Sequence, residues 1–314
     1  MKKSVVISGA GSGIGLASAL YLAGNGFDVI ATVPDMSQKA AVETAAAERR
    51  VSLEVLYLDV TNRESIERAV DAIVRTHGEI YAVIHSAGLG MRGFFEDLSE
   101  TEIRRLFDVN VFGVMAVTRA VLPHMRAARR GRILIVGSVG GRVASMSLSG
   151  YCAGKFALEG FAESLWMEVR PFGIHVSVIE PGIVMTPHFT VHRGRAAAST
   201  DPKSPYYAWF VRHEQLVDRI LRARAIAPAD VARAIHRALT APRPRLRYPV
   251  GIGARTVIWL RRVVPHTWFE RLYFGNIVRL VTRSGQPASG LSQLSLPGNT
   301  DTDYLGLPPT HGKG

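Results

Sequence analysis

From Lys3 to Glu180, short apolar runs alternate with longer stretches in which apolar residues return every three or four positions. The short runs fall at 3–8, 27–32, 53–58, 81–86, 132–138 and 174–180. Several are β-branched or apolar at nearly every position, the pattern of strands covered on both faces. The longer stretches predict helices near 14–24, 37–48, 63–76, 99–127 and 151–170. Repeated strand–helix alternation predicts a parallel sheet wound by right-handed crossovers.

The rhythm breaks after Glu180. Residues 182–227 are rich in Pro, Ser, Ala and aromatics and read as an insertion that acts as a lid. A helix follows at 228–240, with Pro228 in its first turn and Asp230 close behind. Residues 245–251 supply a last strand, and 254–283 read as helical, basic and apolar. From Ser284 onward the Gly/Pro/Ser-rich composition predicts a disordered tail.

The chain has 314 residues, 47% of them apolar, enough for a large core. No apolar run is expected to reach transmembrane length. The opening "MKKSVVISGAGSG" is too short in its apolar part, and too glycine-broken, for a signal peptide. Cys152 is the single cysteine, so no internal disulfide and no cysteine-rich metal site is expected, and a reducing cytoplasm is the expected location. The formal charge is +12, and from Arg219 to Arg283 there are 14 arginines against two acids, Asp230 and Glu270. That balance suits an anionic membrane surface or an acidic partner; a solvated arginine-rich surface is the plainer reading. No recognition motif accompanies the charge, so no nucleic-acid partner is expected.

"VVISGAGSGIGLASALYLAGNG" reads as strand, glycine turn, helix. Glycine lets the backbone approach a pyrophosphate that sits at a helix N-terminus with free N–H donors. The spacing is G-x-x-x-G-x-G, with Gly9, Gly13 and Gly15. Asp59 ends the third strand, either as an acceptor for an adenine amine or as a helix cap.

Tyr151 and Lys155 stand four apart at the start of a helical pattern and so share a face. An ammonium beside a phenol favours the phenolate, which predicts a pKa lowered from about 10 toward neutrality. Tyr151 is then a general acid for a carbonyl oxygen or a base for an alcohol. Ser138 ends the strand "RILIVGS" at the sheet edge where ligands bind in this architecture.

On these residues the chain resembles the short-chain dehydrogenases/reductases. The matching pieces are "SGAGSGIG" (8–15), "DVT" (59–61), "SAG" (86–88), "NVFG" (110–113), "VGSVGG" (136–141), "YCAGK" (151–155) and "PGIVMTP" (181–187). Wording such as "FDVNVFGVMAVTRAVLPHM", with the arginine-rich C-terminus, is similar to the branch of 17β-hydroxysteroid and retinol dehydrogenases. The resemblance implies a single doubly wound Rossmann-type α/β domain over 1–251. It would hold seven parallel strands in the order 3-2-1-4-5-6-7 with helices on both faces, plus a helical lid and a C-terminal extension over 252–283.

The resemblance also implies roles. Tyr151 is the proton donor or acceptor, Lys155 lowers its pKa and holds the nicotinamide ribose, and Ser138 orients the reacting oxygen. Asn110 kinks its helix and holds a water that feeds protons through Lys155. Gly9, Ser12, Gly13, Ile14 and Gly15 cradle the dinucleotide. Asp59 and Val60 meet the adenine, and Ser86, Ala87 and Gly88 contribute backbone contacts. Pro181, Gly182, Val184 and Thr186 line the nicotinamide end. The implied activity is hydride transfer between nicotinamide and the alcohol or ketone of a lipophilic substrate, in a homodimer or homotetramer built through the helices at 99–127 and 151–170. Rival readings are a catalytically silent cofactor-binding sensor, or a membrane-docking module on the same fold.

One departure is His85–Ser86, where the family usually has two asparagines; His85 is expected to replace an asparagine by hydrogen bonding. At the end of the second strand Val33 and Pro34 hold the positions that select the cofactor, and Asp35 lies just beyond. It reaches the ribose of NAD or caps the next helix. With no evident cation for a 2′-phosphate, NAD is expected ahead of NADP. Cys152 reads as a packing residue. His188, His192 and His213 lack ligand spacing, so no metal is expected. Tyr206, Tyr207, Trp209 and Phe210 either wall the substrate cavity or anchor the lid. The stretch 254–283 either packs over the cleft with arginines turned outward or lies in a membrane interface.

Overall fold

The computed structural model describes residues 2–186 and 194–283. Seven strands form one parallel sheet: β1 (Ser4–Ser8), β2 (Asp28–Val33), β3 (Glu54–Tyr57), β4 (Ala82–His85), β5 (Gly131–Val136), β6 (Ile174–Pro181) and β7 (Arg247–Val250). Their spatial order is β3-β2-β1-β4-β5-β6-β7, as expected. The order reverses beside β1, so the crevice that binds ligands in such sheets opens at the carboxyl ends of β1 and β4. Every residue of β1 is buried, which explains its lack of polar alternation.

Helices α1 (Gly13–Gly24), α2 (Lys39–Glu48), α3 (Arg63–His77), α4 (Glu100–Phe107), α5 (Gly113–Ala127), α6 (Ser149–Val169), α7 (Tyr207–Arg224) and α8 (Pro228–Thr240) surround it. Two apolar clusters fill the layers. Leu16 and Leu20 of α1 join Val231 and Ile235 of α8 on one face. Val70 of α3, Val117 of α5 and Leu158 of α6 fill the other. α3 shows how local sequence does this. Ile66, Ala69, Val70 and Ile73 recur at helical spacing and are buried. Asn62 caps the first turn through the Ser65 amide, and Gly78 ends the helix at φ 75°.

Two expectations need correction. The strand expected at 132–138 ends at Val136, because the Gly137 amide turns to the carbonyls of Ile135 and Ile179. Ser138 therefore lies in the turn beyond the sheet. The stretch 254–283 is helical, as expected, and runs in pieces. It divides into α9 (Ile252–Val263), α10 (His266–Phe269), a π-helical turn at Glu270–Phe274 and α11 (Gly275–Thr282). Val264 is extended (φ −83°, ψ 133°), as a residue before proline prefers, and Pro265 starts the next piece. Finally, Glu100–Ala127 contains a window long and apolar enough to cross a membrane. In the fold it runs along the sheet, with Val114, Val117, Val121 and Met125 in the core.

The expected tail at 284–314, and His188 and His192, lie outside the described residues.

Candidate active site

The glycine turn joins β1 to α1. Gly9 sits at φ +72°, and a Cβ there would lie 2.5 Å from the Ala87 Cα. At Gly15 a Cβ would fall 2.0 Å from the Gly9 carbonyl oxygen. The turn thus tolerates no side chain where it closes against β4 and against itself. Ser12 is the N-cap of α1 but its hydroxyl makes no capping bond, so the first N–H donors of α1 face the cleft. Beside it, the Ser86 amide donates to the Ser8 carbonyl at 3.1 Å and the Ala87 amide reaches the Ser8 hydroxyl at 3.4 Å.

These segments line a cleft of about 680 Å³. The structure brings the whole expected glycine turn, Asp59 with Val60, and Ser86–Gly88 to its walls. Ser138, Tyr151 and Lys155, and Pro181, Gly182, Val184 and Thr186 from the end of β6, close its other side. Two expected residues stand apart. Asp35 is exposed and off the cleft lining; its carboxylate accepts from the Ser37 amide at 2.9 Å, which holds it below the usual carboxylate range. It caps the turn Met36–Gln38, one of the two roles expected of it, between the cleft-lining Pro34 and Gln38. Asn110 lies just behind the cleft wall, in a π-helical turn (Asp108–Phe112) between α4 and α5. There it accepts from the Leu89 amide at 2.7 Å and donates to the Leu89 carbonyl at 2.8 Å. The turn widens the helix so that this side chain faces the loop after β4, a placement typical of functional π-bulges.

Ser138 caps the short turn Val139–Gly141, accepting from the Gly140 amide at 3.0 Å. It flanks Tyr151: a Cβ at Gly140 would lie 3.3 Å from the Ser138 hydroxyl oxygen and 3.4 Å from the Tyr151 ring. Lys155 is buried one helical turn beyond Tyr151. Its Nζ donates to the Val136 carbonyl at 2.8 Å and lies 5.7 Å from the Tyr151 ring centre. Burial drives the Lys155 pKa down to about 8, against the pull of the Glu159 carboxylate. The expected depression of the Tyr151 pKa is not present. Burial pushes the phenol up, with the Ser138 hydrogen bond and the Arg92 charge opposing it. The ammonium is committed to a carbonyl of β5, and the desolvation of burial dominates.

His85 is buried at the end of β4 and its Nε2 meets the Thr118 hydroxyl at 2.9 Å. Burial lowers its pKa to about 3, so it is a neutral structural group, in keeping with the expected role. Cys152 is buried and its thiol is pushed up by burial. Asp59 lines the cleft and its carboxylate accepts from the Thr61 amide at 2.9 Å, a local turn; the cap of α3 is Asn62 rather than Asp59.

Sequence reading missed several residues. Gln38, Arg105 and Asp108 also line the cleft, beside the Pro34 already singled out, Arg105 and Lys155 being the cations among the described lining residues. Arg92, in the loop after β4, is buried against Glu214 of α7 (3.1 Å), and Arg195 meets the other oxygen of Glu214 at 3.0 Å. The Arg92 carbonyl takes the Ala196 amide at 2.7 Å. Nothing in local sequence pairs residues 122 positions apart. This knot fixes the lid to the loop beside Tyr151. The aromatic residues of the lid act as anchors. Phe210 is fully buried, Tyr206 stacks on Phe94 at 4.9 Å and donates to Glu96, and none of Tyr206, Tyr207, Trp209 and Phe210 lines the cleft. His213 is buried against the Ser147 hydroxyl at 2.8 Å.

Comparison with known proteins agrees with this geometry. A family model described as short chain dehydrogenase matches residues 3–195. Human 17-beta-hydroxysteroid dehydrogenase type 1 is 37% identical over 251 residues, covering 78% of this chain and 76% of that protein. Human retinol dehydrogenase 8 is 34% identical over 273 residues, 83% of this chain and 85% of its own length. The crystal structure of a short chain dehydrogenase/reductase from Burkholderia phymatum in complex with NAD superposes with a TM-score of 0.72 at 25% identity, covering 83% of this chain and 93% of that one.

Proposed function

The chain belongs to the short-chain dehydrogenase family, and from that premise we propose that it moves hydride between a nicotinamide dinucleotide and the alcohol or ketone of a lipophilic substrate, with Tyr151 as general acid and base. The protein is an NAD(P)-dependent oxidoreductase. The observation that carries the finer reading is the meeting of Ser138, Tyr151 and Lys155 on the wall opposite the glycine turn.

The residues present fit the dinucleotide. The Gly9–Gly15 turn leaves space that a Cβ would fill, and the uncapped N-terminus of α1 offers N–H donors to a pyrophosphate. When bound, the cofactor supplies hydride to the carbonyl carbon or accepts it from the alcohol carbon. The chain's own groups handle the proton. In reduction the Tyr151 hydroxyl donates its proton to the carbonyl oxygen as that oxygen gains charge. Ser138 holds the same oxygen and the phenol in register. Lys155, with a pKa near neutrality and its Nζ one turn from the phenol, stabilises the phenolate left behind and passes a proton to it. Asn110 positions the Leu89 backbone that forms the cleft edge. In oxidation each proton step runs backward.

Support for a lipophilic substrate comes from the relatives, one named for hydroxysteroid and one for retinol oxidation. NAD and NADP remain equal candidates here, since the carboxylate that favoured NAD is engaged by Ser37. The test is a panel of steroid, retinoid and fatty alcohols and ketones with each dinucleotide, read by the absorbance of the reduced nicotinamide. Turnover of at least one lipophilic pair supports the reading; turnover confined to small polar substrates contradicts it.

The protein assembles with a second copy through α6, which exposes Phe156 and Met167, and through the α4–α5 segment, whose π-helical turn exposes Phe112. Sedimentation velocity checks this: a dimer or larger is expected, and a monomer at micromolar concentration rules it out.

A further inference from the structure

Beyond the catalytic reading, and independent of it, we infer that α9 to α11 form a docking face for an anionic lipid surface. The face is apolar and open. Ile252, Trp259, Trp268, Leu272 and Leu280 are the large apolar side chains most exposed in this arm, from 57% for Leu272 to 83% for Ile252. On α9, Ile252, Trp259 and Val263 fall on one side of the helix by their spacing of seven and four. Trp268 and Leu272 are one turn apart in the next piece. The opposite side is already used: Ala254, Phe269 and Val281 are buried. Arg261 is also turned inward, over the rings of Phe269 and Phe274 at 5.2 and 5.8 Å. The exposed stripe is therefore surplus to the fold.

Charge selects the occupant. Residues 252–283 contain six arginines and a single acid, Glu270. Arg262, Arg271 and Arg279 are exposed beside the apolar stripe. Tryptophans at the boundary, aliphatic side chains between them and arginines whose stems lie along the apolar surface suit the headgroup region of a bilayer rich in anionic lipid. An acidic protein groove would want the cations central; here the stripe itself is uncharged and the cations flank it.

The arm is tied to the lid. The Arg212 guanidinium on α7 donates to the carbonyls of Val281 and Arg283 at 3.4 and 3.3 Å. Docking through α9–α11 therefore sets α7 beside the lipid surface.

The experiment uses the full chain and flotation with vesicles of equimolar phosphatidylglycerol and phosphatidylcholine, or of phosphatidylcholine alone. One variant combines Trp259→Glu, Trp268→Glu and Leu272→Glu; a second combines Arg262→Gln, Arg271→Gln and Arg279→Gln. All six positions are exposed, and retained circular dichroism and dinucleotide binding establish that the variants fold. The native chain is expected to float with the anionic vesicles, weakly with neutral ones, and each variant to lose roughly tenfold or more of its partition. Absence of flotation by the native chain, or equal flotation by the apolar variant, overturns the inference. So does a native chain that ignores vesicles but self-associates through this face, seen as an oligomer in sedimentation that the apolar variant dissolves.

Discussion

Lys155 donates its Nζ proton to the carbonyl of Val136 at 2.8 Å while standing 5.7 Å from the ring of Tyr151. A strand carbonyl, and not a carboxylate, holds the ammonium, which lies buried at the cleft wall. Burial therefore lowers its pKa to about 8. The site keeps a cation where the ligand-free fold would prefer a neutral group, a familiar conflict between stability and function.

Replacing that cation separates the two demands. Lys155→Met should stabilise the ligand-free protein by on the order of 1 kcal/mol at pH 7 and reduce turnover by roughly a thousandfold. The sign follows from the lowered folded pKa. The unfolded chain binds more protons between pH 8 and pH 10.5, so native stability rises through that window and the gap between native and variant closes. Urea unfolding of both proteins at pH 7 and pH 10 checks it. A variant less stable than the native chain at pH 7 contradicts this account of Lys155.

The Arg92–Glu214–Arg195 knot should behave as a buried ion cluster. Glu214→Leu leaves Arg92 buried without its carboxylate partner, and should cost about 3–5 kcal/mol in denaturant unfolding. Because Arg92 pulls the Tyr151 pKa down, Arg92→Met should move the acidic limb of the pH profile for alcohol oxidation, where the phenol must lose its proton to act as base, upward. An unchanged unfolding midpoint for Glu214→Leu, or an unmoved limb for Arg92→Met, counts against the link between lid and phenol.

His77 joins β2 to β3, with Nδ1 2.7 Å from Asp28 and Nε2 2.8 Å from Glu54. Burial works against its charge, but the hydrogen bonds it donates to Glu54 and Asp28 outweigh it and the pKa rises. A raised folded pKa means stability that is fully present below about pH 6.5 and lost as pH climbs through the folded value. His77→Gln should therefore lower the melting temperature more at pH 6 than at pH 9. Equal losses at both values would show that the imidazolium contributes nothing.

The sheet was legible because a strand covered on both faces cannot hide its composition: Val5, Val6 and Ile7 are apolar because helices close over both sides. The glycine turn was legible for a steric reason, since Gly9 and Gly15 stand where any Cβ would strike backbone. Asp35 was legible only as two alternatives, because an Asp two residues before Ser37 closes a local turn as readily as it meets a ribose; the turn is the one the fold displays. The raised pKa of Tyr151 was hidden because spacing reveals that Lys155 shares its face but not that the ammonium is engaged by Val136. Arg92 and Glu214 were invisible for want of any local signal; only the packing of α7 against the loop after β4 brings them together. Pro265 announces in the sequence the break that follows α9.

The most direct measurement is the turnover of Tyr151→Phe on a substrate found by the panel, alongside its dinucleotide affinity from fluorescence titration. The phenyl ring fills the same space, so affinity should stay within a few-fold, while loss of the transferable proton should cut turnover by roughly a thousandfold or more. Near-native turnover would contradict proton transfer by Tyr151, and with it the mechanism built on Ser138 and Lys155.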